Sequence, residues 1–126
     1  MLRDAQVSAY VPVSDLARGR EFYEGVLQQQ PREQSPDGVL YECANQSTFF
    51  MYPSGGAGTS KASCLFWSVD DIEKEVADLK DRGVIFERYN VPGMSVDSEI
   101  AIGGGNKAAW FKDPDGNILA LIQPLG

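Results

Sequence analysis

The stretch SCLFWSVDDIEKEVADLKDRG, Ser63 to Gly83, contains the clearest strand and helix signals in the chain. Its first seven residues form a short apolar run that is typical of a β-strand. Asp70 can cap a helix, because Glu73 follows at the spacing of a capping box. The apolar stripe of this helix consists of Ile72, Val76 and Leu79. We therefore predict a strand followed by a helix that begins at Asp70 and ends before Gly83.

The first half of the chain has the same order of signals. The segment AQVSAYVPV, Ala5 to Val13, alternates between two faces and predicts a strand. Ser14 or Asp15 can cap a following helix that runs to about Leu27. Two further strands are predicted as a hairpin at 39–42 and 48–52, and the Gly- and Ser-rich stretch 53–60 is a candidate linker.

Beyond the second helix, the pattern predicts a strand at 84–87 and then a long loop at 90–106 with one short strand at 99–102. The chain closes with a hairpin whose strands lie at 108–112 and 117–123. Its turn, Asp113 to Gly116, has the sequence DPDG, in which proline and glycine suit the turn geometry.

The two halves are internal repeats of one unit. An offset of 56 residues places Val13–Leu16 on Val69–Ile72, and an offset of 71 places Phe49 on Ala120. We predict an α+β fold made of two βαβββ modules, about 1–56 and 57–126, within a single domain 1–126. Together they would form a curved mixed sheet, or cup, with the helices on its outer face.

Composition excludes several kinds of chemistry. The 126 residues include no histidine, which removes Ser-His-Asp and Cys-His catalysis and every metal site that depends on imidazole. The net charge of −7 disfavours nucleic acid and would suit a cationic ligand. No apolar run is long enough to span a membrane. Only two cysteines are present, in no metal or redox motif, so we expect reduced thiols and a cytoplasmic protein.

Three segments resemble vicinal-oxygen-chelate proteins, the glyoxalase/bleomycin-resistance/dioxygenase superfamily. VPVSDLARGREFYEGVL resembles the first strand and helix of that family, and WSVDDIEKEVADLKDRGV resembles the matching segment of the second module. WFKDPDGNILALIQ is similar to the closing hairpin. The likeness and the repeat cover nearly the whole chain, and the resemblance implies the same two-module fold.

The resemblance also implies where a metal ion would bind. Metal-using members hold a divalent ion through four inward positions, typically His or Glu, which fall here on Ser8, Phe49, Cys64 and Ala120. Phenylalanine and alanine cannot ligate a metal, serine is a poor ligand, and one cysteine is not enough. We therefore expect no metal and no other cofactor, and the catalytic residues stay unassigned.

An apolar lining would replace the metal ligands. We predict that the cup binds a small aromatic or amphipathic molecule, as in the bleomycin-resistance branch, and that the molecule is bound without metal. Met94, in the long loop, would close over it. Two alternatives stay open: a lyase, isomerase or dioxygenase with non-standard residues, and a cup filled by its own core. We also expect a homodimer, swapped or unswapped. The predicted ligand-binding residues are Ser8, Tyr10, Phe49, Met51, Cys64, Phe66, Met94, Trp110 and Ala120.

Overall fold

The computed structural model describes residues 1–96 and 99–126, with the backbone alone at 94–96. The chain divides into two compact units, Met1–Thr59 and Ser60–Gly126. The elements of the first unit are β1 (Ser8–Val13), α1 (Leu16–Arg20), β2 (Gln30–Ser35), β3 (Gly38–Glu42) and β4 (Thr48–Pro53). Those of the second are β5 (Ser63–Ser68), α2 (Ile72–Asp81), β6 (Phe86–Glu87), β7 (Met94–Val96), β8 (Ala101–Gly103), β9 (Asn106–Lys112) and β10 (Ile118–Pro124).

The first unit is a four-stranded mixed sheet in the order β1-β4-β3-β2. β1 pairs with β4 in parallel, and the other neighbours are antiparallel. The helix α1 begins where the Asp15 carboxylate accepts a hydrogen bond from the Arg18 amide at 3.2 Å, so one of the two predicted caps is present. Beyond α1 the helix continues as a π-helical segment, Glu21–Val26.

One face of this sheet carries the core of the first unit. Val11, Val13, Phe49 and Met51 are buried there together with Tyr23 of the helical segment. The helix approaches the sheet closely at Gly19, where an added Cβ would lie 2.8 Å from the Met51 sulfur. Glycine at this position therefore lets α1 pack directly on β4.

The second unit is a six-stranded mixed sheet in which β5-β10-β9-β8-β7 are neighbours in that order and β6 pairs with β9. The parallel pair is β5 with β10. The N-cap of α2 is Asp71, whose carboxylate accepts from the Lys74 amide at 3.2 Å, so the prediction of Asp70 was wrong by one residue. Ile72, Val76 and Leu79 are buried, as the apolar stripe predicts.

The α+β fold predicted from the repeat is confirmed, with strand, helix and further strands in each unit. The second unit has five strands after its helix, which is two more than a βαβββ module. Four of them lie at or beside the predicted strands 84–87, 99–102, 108–112 and 117–123, whereas β7 lies in the segment predicted as loop. β2 was also absent from the predicted elements, because its sequence, QPREQS, is polar and contains Pro31. Such a sequence is tolerated at the edge of a sheet, where β2 lies. Within the described residues, no helix is long and apolar enough to cross a membrane.

Candidate functional site

The first unit presents an aromatic face on the side of its sheet opposite α1. Tyr10 is 68% exposed on this face. Its ring meets those of Phe50 and Tyr52 edge to face, with centroids 5.9 and 5.0 Å away. A concavity of about 280 Å³ lies here, lined by Ser8, Ala9, Tyr10, Leu40 and Phe50. This surface combines apolar rings with hydroxyl groups, which suits contact with a planar ligand.

Two of the predicted ligand-binding residues lie on the other face of this sheet. Tyr10 pairs with Phe50, so Phe49 and Met51 alternate to the helix side, where both are buried. Phe49 packs there between the rings of Tyr23 and Tyr41, at centroid distances of 5.7 and 5.0 Å. The prediction that Phe49 and Met51 share a face with Ser8 and Tyr10 was therefore wrong.

The error arises from the repeat offset in the second hairpin. Phe66 pairs with Ala120 as Tyr10 pairs with Phe50, so the offset between β4 and β10 is 70 residues rather than 71. Because side chains alternate along a strand, an error of one residue in the offset assigns every side chain of β4 to the opposite face of the sheet. Phe50, and not Phe49, is therefore the residue that corresponds to Ala120.

The second unit also has an aromatic face opposite its helix. Ala120 of β10 pairs with Phe66 of β5 on one side and with Trp110 of β9 on the other. Phe66 is 62% exposed and Trp110 is half-buried. Neighbouring strands lie about 4.8 Å apart. The small Ala120 side chain therefore lies between the two larger rings, those of Phe66 and Trp110. The structure thus brings these three predicted residues onto one face.

Beside Trp110 is a second concavity, of about 260 Å³, lined by Lys61, Ser63, Tyr89, Val91, Trp110 and Ile118. The Tyr89 ring packs edge to face on Trp110 with centroids 5.6 Å apart. The Tyr89 hydroxyl is buried and has no hydrogen-bond partner in the described part of the chain. A buried hydroxyl without a partner is uncommon, because its desolvation is then uncompensated.

Sequence reasoning missed Tyr52, Leu40, Lys61 and Tyr89 as candidates for the site. The β4 sequence, TFFMYP, is apolar on both faces, so alternation alone could not select Phe50 and Tyr52. Leu40 could have been found from the strand pairing, because it lies opposite Phe50. Nothing in the sequence pattern marks Lys61 or Tyr89.

Cys64 is half-buried near the start of β5. Burial, and secondarily the charge of Asp113, raise the pKa of its thiol to about 11. The thiol is therefore protonated at neutral pH, which makes it a poor nucleophile. Met94 is placed in β7, but its side chain lies outside the described residues, as does its predicted role as a lid.

The residues at the four positions where the resemblance implies metal ligands do not fit a divalent ion. Ser8 supplies a neutral hydroxyl, and the corrected register puts Phe50 and Ala120, which have no donor atoms, at two others. The fourth, Cys64, supplies a single thiol, and one cysteine beside a neutral hydroxyl does not make a metal site. In the described part of the chain, no group of three or more Cys, Asp or Glu side chains could hold a metal ion.

Carboxylates near the ends of the sheet strands are engaged in ion pairs. Glu42 of β3 contacts Arg32 at 3.0 Å between Oε1 and Nη1. Glu87 of β6 contacts Lys112 at 3.3 Å. Each of these two carboxylates is therefore paired with a cation, and neither residue is among those that line the two concavities.

Comparison with known proteins places this geometry in a family. The sequence profile of the Glyoxalase/Bleomycin resistance protein/Dioxygenase superfamily matches residues 5–121. No curated protein matches this sequence.

Solved structures share the fold over nearly the whole chain. A bleomycin resistance determinant encoded on the transposon Tn5 has a TM-score of 0.71 at 22% identity, over 95% of this chain and 98% of that one. TnmS3, an antibiotic binding protein from Streptomyces sp. CB03234, has a TM-score of 0.68 at 22% identity, over 95% of this chain and 97% of its own. Lactoylglutathione lyase from Agrobacterium tumefaciens has a TM-score of 0.69 at 15% identity, over 94% of this chain and 92% of its own. The chain belongs to the glyoxalase/bleomycin resistance protein/dioxygenase superfamily.

Proposed function

We propose that this protein binds a small aromatic or amphipathic molecule without a metal ion, against the sheet faces that the helices leave uncovered. The observation that supports it most directly is the exposure of Tyr10 and Phe66, at 68% and 62%. Large aromatic side chains exposed on a sheet, next to half-buried rings, are typical of ligand-binding surfaces.

The dimensions of the two concavities are consistent with such a ligand. An apolar cavity of about 150 Å³ is large enough for benzene, whereas those lined by Tyr10 and by Trp110 measure about 280 and 260 Å³. Each therefore has room for one or two fused rings. Similarity in fold to an antibiotic binding protein and to a bleomycin resistance determinant agrees with binding as the role.

Tryptophan fluorescence tests the proposal, because the second unit carries one tryptophan on each face of its sheet. Trp110 lies on the uncovered face, whereas Trp67 stacks on buried Phe111 with centroids 6.3 Å apart. We would titrate the protein with nitronaphthalene probes that carry a carboxylate, a hydroxymethyl or an aminomethyl group at one ring position. At least one probe should quench the fluorescence saturably.

The variants Trp110→Phe and Trp67→Phe provide a matched pair. Saturable quenching should disappear in Trp110→Phe and persist in Trp67→Phe, since only Trp110 lines the concavity. Calorimetry would measure the affinities independently of the fluorophore. If none of the three probes binds to the wild-type protein, or if Trp67 is the residue that responds, the proposed function is wrong.

The proposed form of the protein is a cytoplasmic homodimer. Neither Cys43 nor Cys64, which both lie in the described part of the chain, forms a disulfide, as is usual in proteins of reducing compartments. β1 and β5 lie at the edges of their sheets, where a strand can pair with another chain. Light scattering coupled to gel filtration would contradict the homodimer if it gave the mass of one chain, 13.8 kDa.

A further inference from the structure

One row of side chains crosses the uncovered face of the first unit from strand to strand. Tyr10 of β1 pairs with Phe50 of β4, which in turn pairs with Leu40 of β3. Leu40 pairs on its other side with Glu33 of β2. Residues that lie directly opposite each other on neighbouring strands share a face of the sheet. Tyr10, Phe50 and Leu40 line the concavity of about 280 Å³, so the row leads from that concavity to a carboxylate.

A separate contact fixes the face to which Glu33 belongs. The side chain of its neighbour, Gln34, accepts a hydrogen bond from Arg20 of α1 at 2.9 Å between Oε1 and Nη1. Gln34 therefore points to the helix side of the sheet. Because side chains alternate along a strand, Glu33 points to the opposite, uncovered face. The irregularity in β2 lies between Pro31 and Glu33, so the pairing from Glu33 onward is regular.

The carboxylate at the end of this row is open to a ligand. Glu33 is exposed and forms no ion pair within the described part of the chain, whereas the adjacent Arg32 is paired with Glu42 at 3.0 Å. Glu21 and Asp37 are also exposed acids, but Glu21 lies in the helical segment and Asp37 in a turn. Neither of them pairs with a residue of the concavity. The position of Glu33 opposite Leu40 is what distinguishes it.

The rings at the other end of the row are held by their neighbours. Phe50 lies against Gly38 of β3, where an added Cβ would be 2.6 Å from Phe50 Cζ. Its ring also meets that of Tyr10 edge to face. Tyr10 is exposed, so a ligand can reach its ring directly. A ring that is already fixed loses little conformational freedom when a ligand binds.

We infer that this face takes an aromatic amine, with its ring against Tyr10 and Phe50 and its ammonium at Glu33. This inference rests on the proposed function, and it names the ligand class. Phe50 and Glu33 lie two strands apart, which is about 10 Å, so the ammonium is carried on a chain rather than attached next to the ring. The apolar Leu40 side chain lies between the two ends. The net charge of −7 favours the same sign of ligand.

Probes of two lengths test this arrangement. Nitronaphthalenes with an aminobutyl or a hydroxybutyl chain would be compared by calorimetry with the aminomethyl and hydroxymethyl probes at pH 7.5, where a primary amine is protonated. The aminobutyl probe should bind about threefold more tightly than the hydroxybutyl probe, a preference of the size expected for an exposed ion pair. High salt should reduce this preference, because it screens exposed charges.

Three substitutions locate the two ends of the ligand. Glu33→Gln should remove the preference for the aminobutyl probe, whereas Glu21→Gln, which deletes the same charge from the helical segment, should retain it. Neither should change the relative affinity of the two short probes, whose substituents do not reach Glu33. Tyr10→Leu should weaken both butyl probes severalfold, because it removes a ring contact. All three positions are exposed, so circular dichroism should show an unchanged fold.

The outcomes separate this inference from the proposed function. Equal affinities of the two butyl probes, or a preference that survives Glu33→Gln, would overturn the aromatic amine and leave the binding function in place. An equal loss of the preference in Glu21→Gln would also overturn it, since net charge alone would then be responsible. Unchanged affinities in Tyr10→Leu, or failure of both butyl probes while a short probe binds, would have the same meaning. Absence of binding by every probe would overturn both.

Discussion

Tyr10 pairs with Phe50 across the parallel strands β1 and β4, and their rings meet at 82° with centroids 5.9 Å apart. The neighbouring residue, Phe49, points to the opposite side of the sheet and is buried against Tyr23 and Tyr41. Two adjacent phenylalanines therefore have different surroundings. One belongs to the proposed binding face and the other to the core.

Substitution of these two phenylalanines should separate stability from binding. Phe49→Ala removes a buried ring and should lower the free energy of unfolding by about 3–5 kcal/mol. Phe50→Ala removes a partly exposed ring and should cost about 1 kcal/mol. Urea unfolding monitored by circular dichroism would measure both losses. Equal losses would contradict the pairing of Tyr10 with Phe50, which places Phe49 on the buried face.

A cluster on the helix side of the first sheet should make stability depend on pH. Glu24 accepts from the Tyr41 hydroxyl at 2.8 Å and from Arg20 Nε at 2.7 Å. Chiefly because of Arg20, the pKa of Glu24 lies below its usual value of 4.5. A lowered carboxyl pKa contributes stability that is complete above 4.5 and is lost as the pH falls through the folded-state pKa.

The substitution Glu24→Gln should therefore lower the free energy of unfolding at pH 7 by about 1.5–3 kcal/mol, since hydrogen bonds to a charged group are lost. The difference from wild type should shrink as the pH is lowered from 5 to 3, because protonation removes the same charge. Glu21→Gln, at an exposed position of the same helical segment, is the control. If the free energies of unfolding of the wild-type protein and Glu24→Gln differed by the same amount at pH 7 and pH 3, the Glu24 charge would not be the source of the difference.

Asp113 organises the closing turn. Its carboxylate is 5% exposed and accepts from the amides of Asp115 and Asn117 and from the Asn117 side chain, at 3.0, 2.9 and 2.7 Å. Asp113→Ala would leave these donors without their acceptor, at a cost of about 3 kcal/mol. Asp113→Asn keeps one acceptor oxygen and should cost less.

The first unit provides the comparison for this turn. Asp37 is exposed in the Ser35–Gly38 turn, so Asp37→Ala should change the free energy of unfolding by less than about 0.5 kcal/mol. Thermal and urea unfolding of the three variants would establish the order. If Asp37→Ala lowered the free energy of unfolding as much as Asp113→Ala, the hydrogen bonds of the Asp113 carboxylate would not explain the stability of the closing turn.

Cys64 should react slowly with alkylating reagents. Burial raises the pKa of its thiol from 9.0 to about 11, which lowers the thiolate fraction at pH 8 about 100-fold. In a Cys43→Ser background, iodoacetamide labelling followed by mass spectrometry should be much slower in the folded than in the unfolded protein. Its rate should rise between pH 8 and pH 10. Rapid labelling of folded protein at pH 8 would disprove the raised pKa.

The sequence predicts the elements best where amphipathic patterns are strong. The stripe Ile72, Val76 and Leu79 identified α2, and the alternation of Ser8–Val13 identified both faces of β1. A polar strand such as β2 has no such pattern, because an edge position does not require an apolar face. Pairing with β3 is what makes it a strand.

The sequence by itself determined the absence of histidine and the order of strand, helix and further strands that recurs in the two units. Only the tertiary structure decided which ring of Phe49 and Phe50 shares a face with Tyr10, because β4 is apolar on both sides and the register follows from pairing with β1. It also brought Lys61, Tyr89 and Trp110 to one concavity. These residues are distant in the chain, and no local pattern encodes a contact that depends on the whole sheet.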